Sequence, residues 1–427
     1  MHILILNQFY PPDVAPTGQV AHDLAQCLVE RGHSVSVICS RESYSGHATY
    51  AAREQLDGVS ILRLRAIAFG GKSHLRKLLS YASFYVLLFI RICFCRPRPD
   101  VVISLTTPPY VGLLARLVGV VRRWRRVHWI MDLYPDVLTA HGLLGYGIAG
   151  HLVKGFLSWL TRRELAGASL VLTLGGGMAE RVKGYVTGKG RITWIPLWSR
   201  VAAGPVDESR VHDKRREHGW RDDELVFMYS GNMGLGHRFG EFLNAAAKSS
   251  GSHPDSISDS DGPARPTVNS GGPVLKRFVF AGQGKRRIQI ETFTQAHPNA
   301  PVQLLPYAPM ADLGVHLRSA DVLLASLGAQ WSGCMLPSKL QGMFAAGRPV
   351  VFVGPSDCTM ARWIREAEAG WVVGPGDVSG LCSCLDQAAD PEVCRQKGES
   401  AERYARKHFD RIVNCERIAV LLEEVTG

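Results

Sequence analysis

The 427-residue sequence lacks the patterns that mark zinc proteins and secreted proteins. Its ten cysteines show no zinc-type spacing, because the two C-x-C pairs, Cys93/Cys95 and Cys382/Cys384, have no histidines set beside them. We therefore predict reduced thiols and a cytoplasmic location. The chain starts with MHILILNQFYPP, which offers neither a basic segment nor a cleavage site, so a secretory signal is not expected.

The sequence also lacks an apolar run of the ~20 residues that a membrane-spanning helix needs. The longest run, Leu78–Ile90, has 13 residues and is followed by arginines. It fits either a buried core helix or a helix that lies in the lipid headgroup layer. Two further segments, Arg116–Trp129 and His151–Leu165, interleave basic residues with tryptophan. Each segment alone reads as ordinary helix surface, but the three together favour peripheral contact with an anionic membrane surface.

Acidic residues are scarce in the first half of the chain. Residues 1–200 hold 24 Lys/Arg and 11 Asp/Glu, whereas residues 201–427 hold 25 and 27. This asymmetry indicates that one domain meets an anionic partner. Nucleic acid is one such partner, but the chain has no recognition-helix, zinc-finger or RNP-type motif, so we expect no nucleic-acid binding.

Apolar, β-branched runs alternate with helical patterns along nearly the whole sequence. Strands that are apolar on both faces and separated by helices are typical of parallel, doubly wound sheets. Thirteen such strands exceed one open sheet of usual size, so the sequence predicts two similar α/β domains with a linker near Ile195–Pro205. The predicted strands are residues 2–6, 34–39, 59–64, 100–105, 127–131, 169–174, 192–196, 225–230, 277–282, 302–307, 321–326, 349–354 and 370–375.

We place the two domains at residues 1–197 and 198–406. Residues 407–427 are predicted to be a C-terminal helix able to pack back on the first domain. The segment Ser249–Pro273 is rich in Ser, Gly, Pro and Asp and almost devoid of large apolar groups. It is predicted to be a disordered surface loop inserted into the second domain.

Glycine-rich turns follow several predicted strands, at the strand ends where ligands of open α/β sheets bind. They are Asn7–Gly18, Gly231–Gly240 and Ala281–Gly284. Small residues let backbone N–H groups approach phosphate oxygens, and a following helix N-terminus adds its dipole. Each turn alone is equally an ordinary connection, and none is a P-loop or a Rossmann fingerprint in good register.

Two other segments carry candidate site residues. Met131–Asp136 ends a strand with two carboxylates, of which Asp132 either caps a loop or helix or accepts a hydrogen bond from a sugar hydroxyl or a nucleophile. The stretch MLPSKLQGMFAAGRPVV predicts a short helix that starts at Pro337–Ser338. Lys339 lies in its first turn, where the helix dipole disfavours a cation by ~0.3–1 kcal/mol. A diphosphate docked at this end would remove that conflict.

The order of these segments resembles the family 4 glycosyltransferases of the GT-B fold, most closely the bacterial branch that builds O-antigen, capsule and colanic-acid-type polysaccharides. The segments NQFYPPDVAPTG, SLTTPPYVGLLARL, WIMDLYPD, SGNMGLGH, FAGQG, PSKLQGMFAAGRPVVFVG and EAGWVVGPGD follow in family order. The resemblance implies an α/β, GT-B architecture of two Rossmann-like, doubly wound domains facing a central cleft. The N-terminal domain would bind the acceptor and the C-terminal domain the nucleotide sugar.

The resemblance further implies a retaining glycosyltransferase that needs no metal and no cofactor. It would move a hexosyl or N-acetylhexosaminyl unit from a nucleotide sugar, expected to be UDP-linked, to a glycan or a polyprenyl-diphosphate-linked sugar. The enzyme would work in the cytoplasm at the inner face of the membrane. A nucleotide-sugar 2-epimerase and an inactive donor-binding protein on the same scaffold are the alternatives.

Carried over by position, the resemblance gives catalytic roles to Asp132, Lys339 and Arg238. The implied donor-binding residues are Gly18, Gly231, Asn232, His237, Gly282, Gln283, Ser338, Gln341 and Gly342. Gly18 and Asp132 would face the sugar and the acceptor from the N-terminal domain. No residue is expected to bind a metal.

The sequence departs from the family pattern in two places. Gly333 and Gln341 stand where the family commonly has two glutamates. The Gln341 amide can still hydrogen-bond a ribose hydroxyl, but the sugar contact of the first carboxylate is absent. The N-terminal loop reads Thr17-Gly18-Gln19 where a Gly-Gly pair is common. Because of both departures, the sequence does not identify the donor sugar.

Overall fold

The computed structural model describes residues 1–43, 49–65, 74–145, 147–186, 190–249 and 274–426. The chain forms two compact α/β units. The first unit comprises Met1–Trp198, Gly333–Leu336 and His408–Gly427, and the second comprises Ser199–Ser332 and Pro337–Lys407. Apart from Ser249, the segment predicted to be a disordered loop lies outside the described residues.

The first unit is built on an eight-stranded sheet in the order β3-β4-β2-β1-β5-β6-β7-β8. Every pair is parallel except β3 with β4. The strands are β1 (His2–Leu6), β2 (Ser34–Ser40), β3 (Arg53–Leu56), β4 (Val59–Leu64), β5 (Val101–Ser104), β6 (Arg125–Trp129), β7 (Leu170–Thr173) and β8 (Arg191–Trp194).

Seven helices of this unit lie within the described residues. They are α1 (Pro16–Glu30), α2 (His74–Cys93), α3 (Val111–Arg122), α4 (Asp136–Ala140), α5 (Ile148–Leu165), α6 (Gly176–Lys183) and, from the end of the chain, α15 (Arg411–Glu424). One face of α2 and one face of α3 join the core with side chains of β1, β2 and β5. None of the helices in the described ranges has the length and apolarity that crossing a bilayer requires.

The terminal helix α15 packs on α1 within the first unit. Arg31 and His33, just beyond α1, both bond the carboxylate of Glu423, with His33 Nε2 at 3.0 Å. Asn414 is fully buried and donates through Nδ2 to the carbonyls of His408 (2.7 Å) and Pro196 (3.3 Å). The last helix is therefore an integral part of this unit.

The second unit is a six-stranded, wholly parallel sheet in the order β11-β10-β9-β12-β13-β14. Its strands are β9 (Glu224–Ser230), β10 (Leu275–Ala281), β11 (Val302–Leu305), β12 (Val322–Ser326), β13 (Val350–Val353) and β14 (Gly370–Val373). Its helices are α7 (Glu208–Glu217), α8 (Gly240–Ser249), α9 (Arg287–Ala296), α10 (Leu313–Arg318), α11 (Lys339–Ala345), α12 (Thr359–Glu366), α13 (Val378–Gln387) and α14 (Pro391–His408).

The structure confirms the two-sheet α/β fold and all thirteen predicted strands, with shifts at their ends. It adds the strand β3, whose sequence REQL is polar and mostly exposed. The sequence therefore has no apolar run that would predict this strand. The connection to β4 is Asp57-Gly58, and both residues have positive φ angles, 51° and 77°. An Asp-Gly pair of this kind is a strong hairpin signal, and the hairpin could have been found from it.

The hairpin of β3 and β4 supports the loop that follows β1 through a buried arginine, Arg63. Arg63 Nη2 donates to the carbonyl oxygen of Pro11 at 2.7 Å, and Nη1 pairs with Glu54 on β3. The Tyr50 ring covers the guanidinium at 5.5 Å. The loop between β1 and α1 is thus fixed to the hairpin by one side chain.

We expect Arg63→Met to lower the free energy of unfolding by about 1–3 kcal/mol, because the Pro11 carbonyl would lose a buried donor. Urea unfolding measures the change. Arg53→Met, on the exposed face of the same hairpin, is the matched control and should change stability little. Equal losses in the two variants would contradict this role for Arg63.

Candidate functional site

The second sheet has a switch point at β9, which pairs with β10 on one side and with β12 on the other. In open α/β sheets, ligands bind outside the carboxyl ends of the strands at such a point. His237 and Arg238, in the loop after β9, both bond Ser326 at the end of β12. His237 Nδ1 bonds the carbonyl at 2.8 Å, and the Arg238 backbone N–H donates to Oγ at 3.0 Å. The two loops that border this point are therefore fixed to each other.

Two glycine turns pack backbone to backbone at this edge of the sheet. The Met233 N–H donates to the carbonyl of Gln283 at 2.7 Å. A Cβ on Gly282 would lie 2.1 Å from the Gly231 carbonyl oxygen, and one on Gly284 would lie 2.5 Å from the carbonyl of Met233. Gly282 also has a φ of 130°. Only glycine fits at this position, and the predicted residues Gly231, Asn232, Gly282 and Gln283 are brought together.

Lys339, the first residue of α11, reaches this pair of turns. Its Nζ donates to the hydroxyl of Tyr229, lies 3.9 Å from the centre of that ring and is 3.5 Å from the carbonyl oxygen of Asn232. Nζ is also 3.3 Å from where a Cβ on Gly231 would stand. Burial lowers the pKa of Lys339 to about 7. The ammonium therefore lies against the turn without a carboxylate partner among the described residues.

Tyr229 holds this lysine and was not among the residues predicted from the sequence. The side chain is fully buried at the end of β9, and its hydroxyl donates to the Asn232 carbonyl at 2.7 Å while accepting from Lys339. Burial raises the pKa of Tyr229 far above its usual range, so the phenol stays neutral. The only sequence signal was an aromatic residue at the end of a strand, which is also what an ordinary core position shows.

His237 is neutral, and its hydrogen bond fixes its tautomer. Burial, aided by the charge of Lys339, lowers the pKa of His237 to about 3. A carbonyl only accepts, so Nδ1 carries the proton that bonds Ser326. Nε2 is therefore an acceptor, available in chemical terms to a ligand hydroxyl.

Arg238 is paired more tightly than the sequence suggested. Its Nε donates to Glu241 Oε1 at 2.9 Å and Nη2 bonds the same oxygen. Glu241 is buried and also accepts from the Gly376 N–H at 2.9 Å. The charge of Arg238 is thus largely balanced by a carboxylate, and only Nη1 lies outside the pair.

A basic run directly after the AGQG turn was not among the predicted site residues. Lys285 is exposed, and Arg286 donates from Nε to the Leu235 carbonyl at 3.2 Å. Arg287 Nη1 donates to the Gly282 carbonyl at 2.6 Å, while its Nε bonds Glu291. These residues place positive charge beside the second glycine turn. The run KRR after a glycine turn was the signal that could have revealed them.

One predicted donor contact on α11 is placed differently from the expectation. Gln341 is fully buried, and neither Oε1 nor Nε2 has a hydrogen-bond partner in the part of the chain that is described. It therefore presents no surface to a ribose. A Cβ on Gly342 would stand 3.7 Å from Val201 and 3.8 Å from Leu317, and the predicted donor contact of this glycine stays a prediction. Ser338 is exposed at the N-cap and makes no side-chain cap bond.

In the first unit, Asp132 follows β6 at the carboxyl edge of the sheet. Its backbone N–H donates to Thr106 Oγ1 at 3.2 Å, and it forms a β-bridge with Met335. Burial raises the pKa of Asp132 to about 6. Asp136, the second carboxylate of the motif, is instead bonded to Arg181 at 2.8 Å and to Tyr185 at 2.6 Å.

Gly18 is closely packed in this structure, and its predicted position facing the sugar and the acceptor stays a prediction. It is buried, and a Cβ there would lie 2.8 Å from the carbonyl oxygen of Phe9 and 3.1 Å from Cα of Tyr10. The glycine lets α1 approach its own preceding loop closely. Its role is therefore packing of the loop after β1.

Comparison with known proteins finds similarity to glycosyltransferases. Residues 17–198 match the family described as "Glycosyl transferase 4-like domain". WbjE of Pseudomonas aeruginosa is 21% identical over 75% of this chain and 74% of its own, and EpsD of Bacillus subtilis (strain 168) is 25% identical over 70% of each. Both carry glycosyltransferase names and, together with the match of residues 17–198, they support a glycosyltransferase activity for this chain.

Solved glycosyltransferase structures share the fold over the whole chain. Sucrose-phosphate synthase from Thermosynechococcus elongatus has a TM-score of 0.71 at 15% identity, covering 100% of this chain and 99% of its own. WaaG, a glycosyltransferase involved in lipopolysaccharide biosynthesis, scores 0.65 at 17% identity and covers 100% of both chains. Anabaena HepE in complex with UDP-glucose scores 0.66 at 13% identity, covering 99% of this chain and 100% of its own.

The structure shows what a side chain would meet at residue 333, where the resemblance places a glutamate. Gly333 has a φ of 74°, and a Cβ there would lie 2.9 Å from both the Arg181 side chain and the Gly177 carbonyl oxygen. A side chain would be strained and crowded at this position. Residues Gly333–Leu336 cluster with the first unit, whereas the sequence analysis had put them in the second domain.

We expect Gly282→Ala to cost about 1–3 kcal/mol of folding stability, since an L-residue would be strained at this φ and its Cβ would meet the Gly231 carbonyl. Urea unfolding measures the loss. Gly374→Ala is the control, because Gly374 has no atom within 4 Å of its Cβ position. A Gly282→Ala variant as stable as Gly374→Ala would show that the two turns need not pack so closely.

Proposed function

We propose that this glycosyltransferase is a retaining, metal-independent hexosyl or N-acetylhexosaminyl transferase that uses a nucleotide sugar, UDP-linked, in cell-surface polysaccharide synthesis. The observation that carries the proposal is the Lys339 ammonium held by Tyr229 against the glycine turn at the switch point of the second sheet. HepE, which shares the fold, is in complex with UDP-glucose, and WaaG is involved in lipopolysaccharide biosynthesis. Both facts support the donor and the pathway proposed here.

The donor diphosphate would bind at the two glycine turns. Gly231 and Gly282 carry no side chain, so their backbone can come close to phosphate oxygens. Lys339 supplies a compact cation, which suits a phosphate, and the exposed Lys285 adds charge nearby. The sugar would lie within reach of His237, whose Nε2 accepts a bond from a hydroxyl.

The reaction needs a cation beside the leaving diphosphate, where negative charge develops. As the bond between C1 of the sugar and the phosphate oxygen cleaves, negative charge grows on the leaving diphosphate. A preorganised donor stabilises that charge without reorganisation, and loss of one typically costs ~2.7–4 kcal/mol. Lys339 is preorganised by Tyr229, and an anion beside it raises its pKa, so the docked donor itself keeps the lysine charged.

The acceptor would be a glycan or a polyprenyl-diphosphate-linked sugar. Asp132, with a pKa raised to about 6 by burial, is mostly ionised at pH 7 and accepts a hydrogen bond from the acceptor hydroxyl. We assign it an orienting role. The hydroxyl proton passes to the leaving phosphate, which becomes basic as the bond to C1 breaks.

The same proposal extends to location. The first 200 residues carry an excess of 13 positive charges, which suits work at an anionic membrane surface on the cytoplasmic side. A lipid-linked acceptor would be concentrated at that surface. No resident cofactor is part of this proposal, and the nucleotide sugar is a co-substrate.

A thermal-shift screen with UDP-, GDP- and dTDP-sugars tests donor binding. Ligand at ~100 times Kd should stabilise the fold by about 2.7 kcal/mol. Lys339→Ala should lose most of the shift and more than a hundredfold in turnover while remaining folded. Absence of a shift with every nucleotide, or near-normal transfer by Lys339→Ala, would refute the assignment.

Product analysis separates the proposal from its main alternative. With donor and no acceptor, a 2-epimerase would convert the sugar nucleotide to its epimer, whereas a transferase would leave it intact apart from slow hydrolysis. With a lipid-linked sugar added, only the transferase forms a glycosidic product. An inactive donor-binding protein would give a thermal shift and neither product.

The lowered pKa of Lys339 predicts a pH effect on nucleotide binding. The protonated amine binds the diphosphate, and deprotonation sets in as pH rises through about 7. The affinity for UDP should therefore fall by up to tenfold per pH unit above pH 7, measured by calorimetry between pH 7 and 9. Lys339→Arg keeps its charge throughout this range and should give a flat profile. A flat profile in the unmodified protein would contradict the role of this titration.

A further inference from the structure

Helix α5 is anchored to the first unit by its C-terminal half only. Thr161 donates to the Tyr134 carbonyl at 2.8 Å, and Glu164 accepts from the Gly112 N–H at 2.8 Å. These two residues and Leu165 are the buried positions of the helix. From Ile148 to Phe156 every residue except Gly150 is exposed. More than two turns of helix therefore project from the unit with little cover.

The projecting part of α5 is amphipathic. Ile148, Leu152 and Phe156 are 83%, 70% and 58% exposed, and Trp159 is also exposed. Their spacing of four, four and three residues puts them on one face of the helix. His151, Lys154, Ser158 and Arg162 occupy a separate face. Large apolar groups on one side and basic groups on another are the pattern of helices that lie in a membrane interface.

Helix α3, which packs against α5, also exposes large apolar residues. Its buried residues, Val111, Ala115 and Val118, face the core. Leu117, Val120 and Val121 fall on the opposite side and are strongly exposed. The exposed side of α3 therefore points away from the sheet.

Helix α2, which also packs against α3, likewise has apolar residues both in the core and exposed. Phe84, Leu88 and Ile92 are in the core, while Val86, Phe89 and Ile90 are exposed. We call the exposed apolar residues of the three adjacent helices the outer helix face; they are Val86, Phe89, Ile90, Leu117, Val120, Val121, Ile148, Leu152, Phe156 and Trp159.

The exposed charged residues of α2, α3 and α5 have one sign. Arginines and a lysine lie in the same helices or directly after them: Arg91, Arg116, Arg122, Arg123, Lys154, Arg162 and Arg163. The single acidic residue in α2, α3 and α5 is Glu164, which is buried. Such a surface complements anionic lipid, where each Lys or Arg near the surface contributes ~1 kcal/mol of attraction.

We infer that the outer helix face docks on an anionic lipid bilayer, with the first turns of α5 inserting their apolar side chains at the boundary between headgroups and acyl chains. The inference rests on the proposed function, since it seats the acceptor-binding unit where a lipid-linked sugar is presented. A second copy of this chain fits the outer helix face less well than a bilayer does. A two-fold contact through this face would bring the arginines of two copies together without carboxylates to pair them.

Flotation with vesicles of phosphatidylcholine alone and of phosphatidylcholine with phosphatidylglycerol tests the docking. The protein should bind the anionic vesicles, and binding should weaken as salt rises. Leu152→Asp and Phe156→Asp should each lower the partition coefficient at least tenfold. Both positions are exposed, so folding should be intact, which circular dichroism checks. Ile412→Asp on α15, where the isoleucine is 65% exposed, is the matched control and should bind normally.

Three results would overturn the inference. They are failure of the unmodified protein to bind anionic vesicles, unchanged binding by Phe156→Asp, and a self-associated state in solution that Phe156→Asp dissolves. The third would assign the face to a second copy of the chain. The UDP-induced thermal shift depends on the second unit, so a variant that keeps the shift but loses vesicle binding separates failure of donor binding from failure of docking.

Discussion

The candidate site depends on one contact, the bond between the Lys339 ammonium and the Tyr229 hydroxyl. A lysine at the start of a helix is opposed by the helix dipole, and burial adds to the cost of its charge. Tyr229 offers a neutral acceptor and the face of its ring, which hold the amine in place without neutralising it. Three further features keep that amine beside the backbone of Gly231. They are the packing of the two glycine turns, the hydrogen bond between His237 and Ser326, and the position of α11.

Much of the fold could be predicted from the sequence because parallel, buried strands are apolar on both faces. The runs of β1, β5, β12 and β13 are of this kind, and their pattern hardly depends on distant residues. The edge strand β3 escaped because it is polar and exposed, so only its Asp-Gly turn marks it. Local pattern therefore reveals central strands well and edge strands poorly.

The site was harder to predict, for a physical reason that Gly18, Gln341 and Tyr229 share. Sequence order shows which residues follow a strand, but not which way a side chain points or what it packs against. Gly18 packs on Phe9, and Gln341 is enclosed with an unpaired amide, although both stand in motifs that suggested ligand contact. Tyr229 looked like any core aromatic, and its role appears only when Lys339 is placed above it. A contact such as that between Tyr229 and Lys339 depends on the tertiary structure and cannot be seen in the sequence.

The left-handed backbone at Gly333 constrains which residues this position can accept. A carboxylate at that point would require a new side chain, a different φ and the displacement of Arg181, all at once. Single substitutions at this position would cost stability before any sugar contact could be gained. The main chain thus opposes a carboxylate at residue 333, and a new side chain that contacts a ligand is more easily accommodated at positions where the backbone is free to accept it.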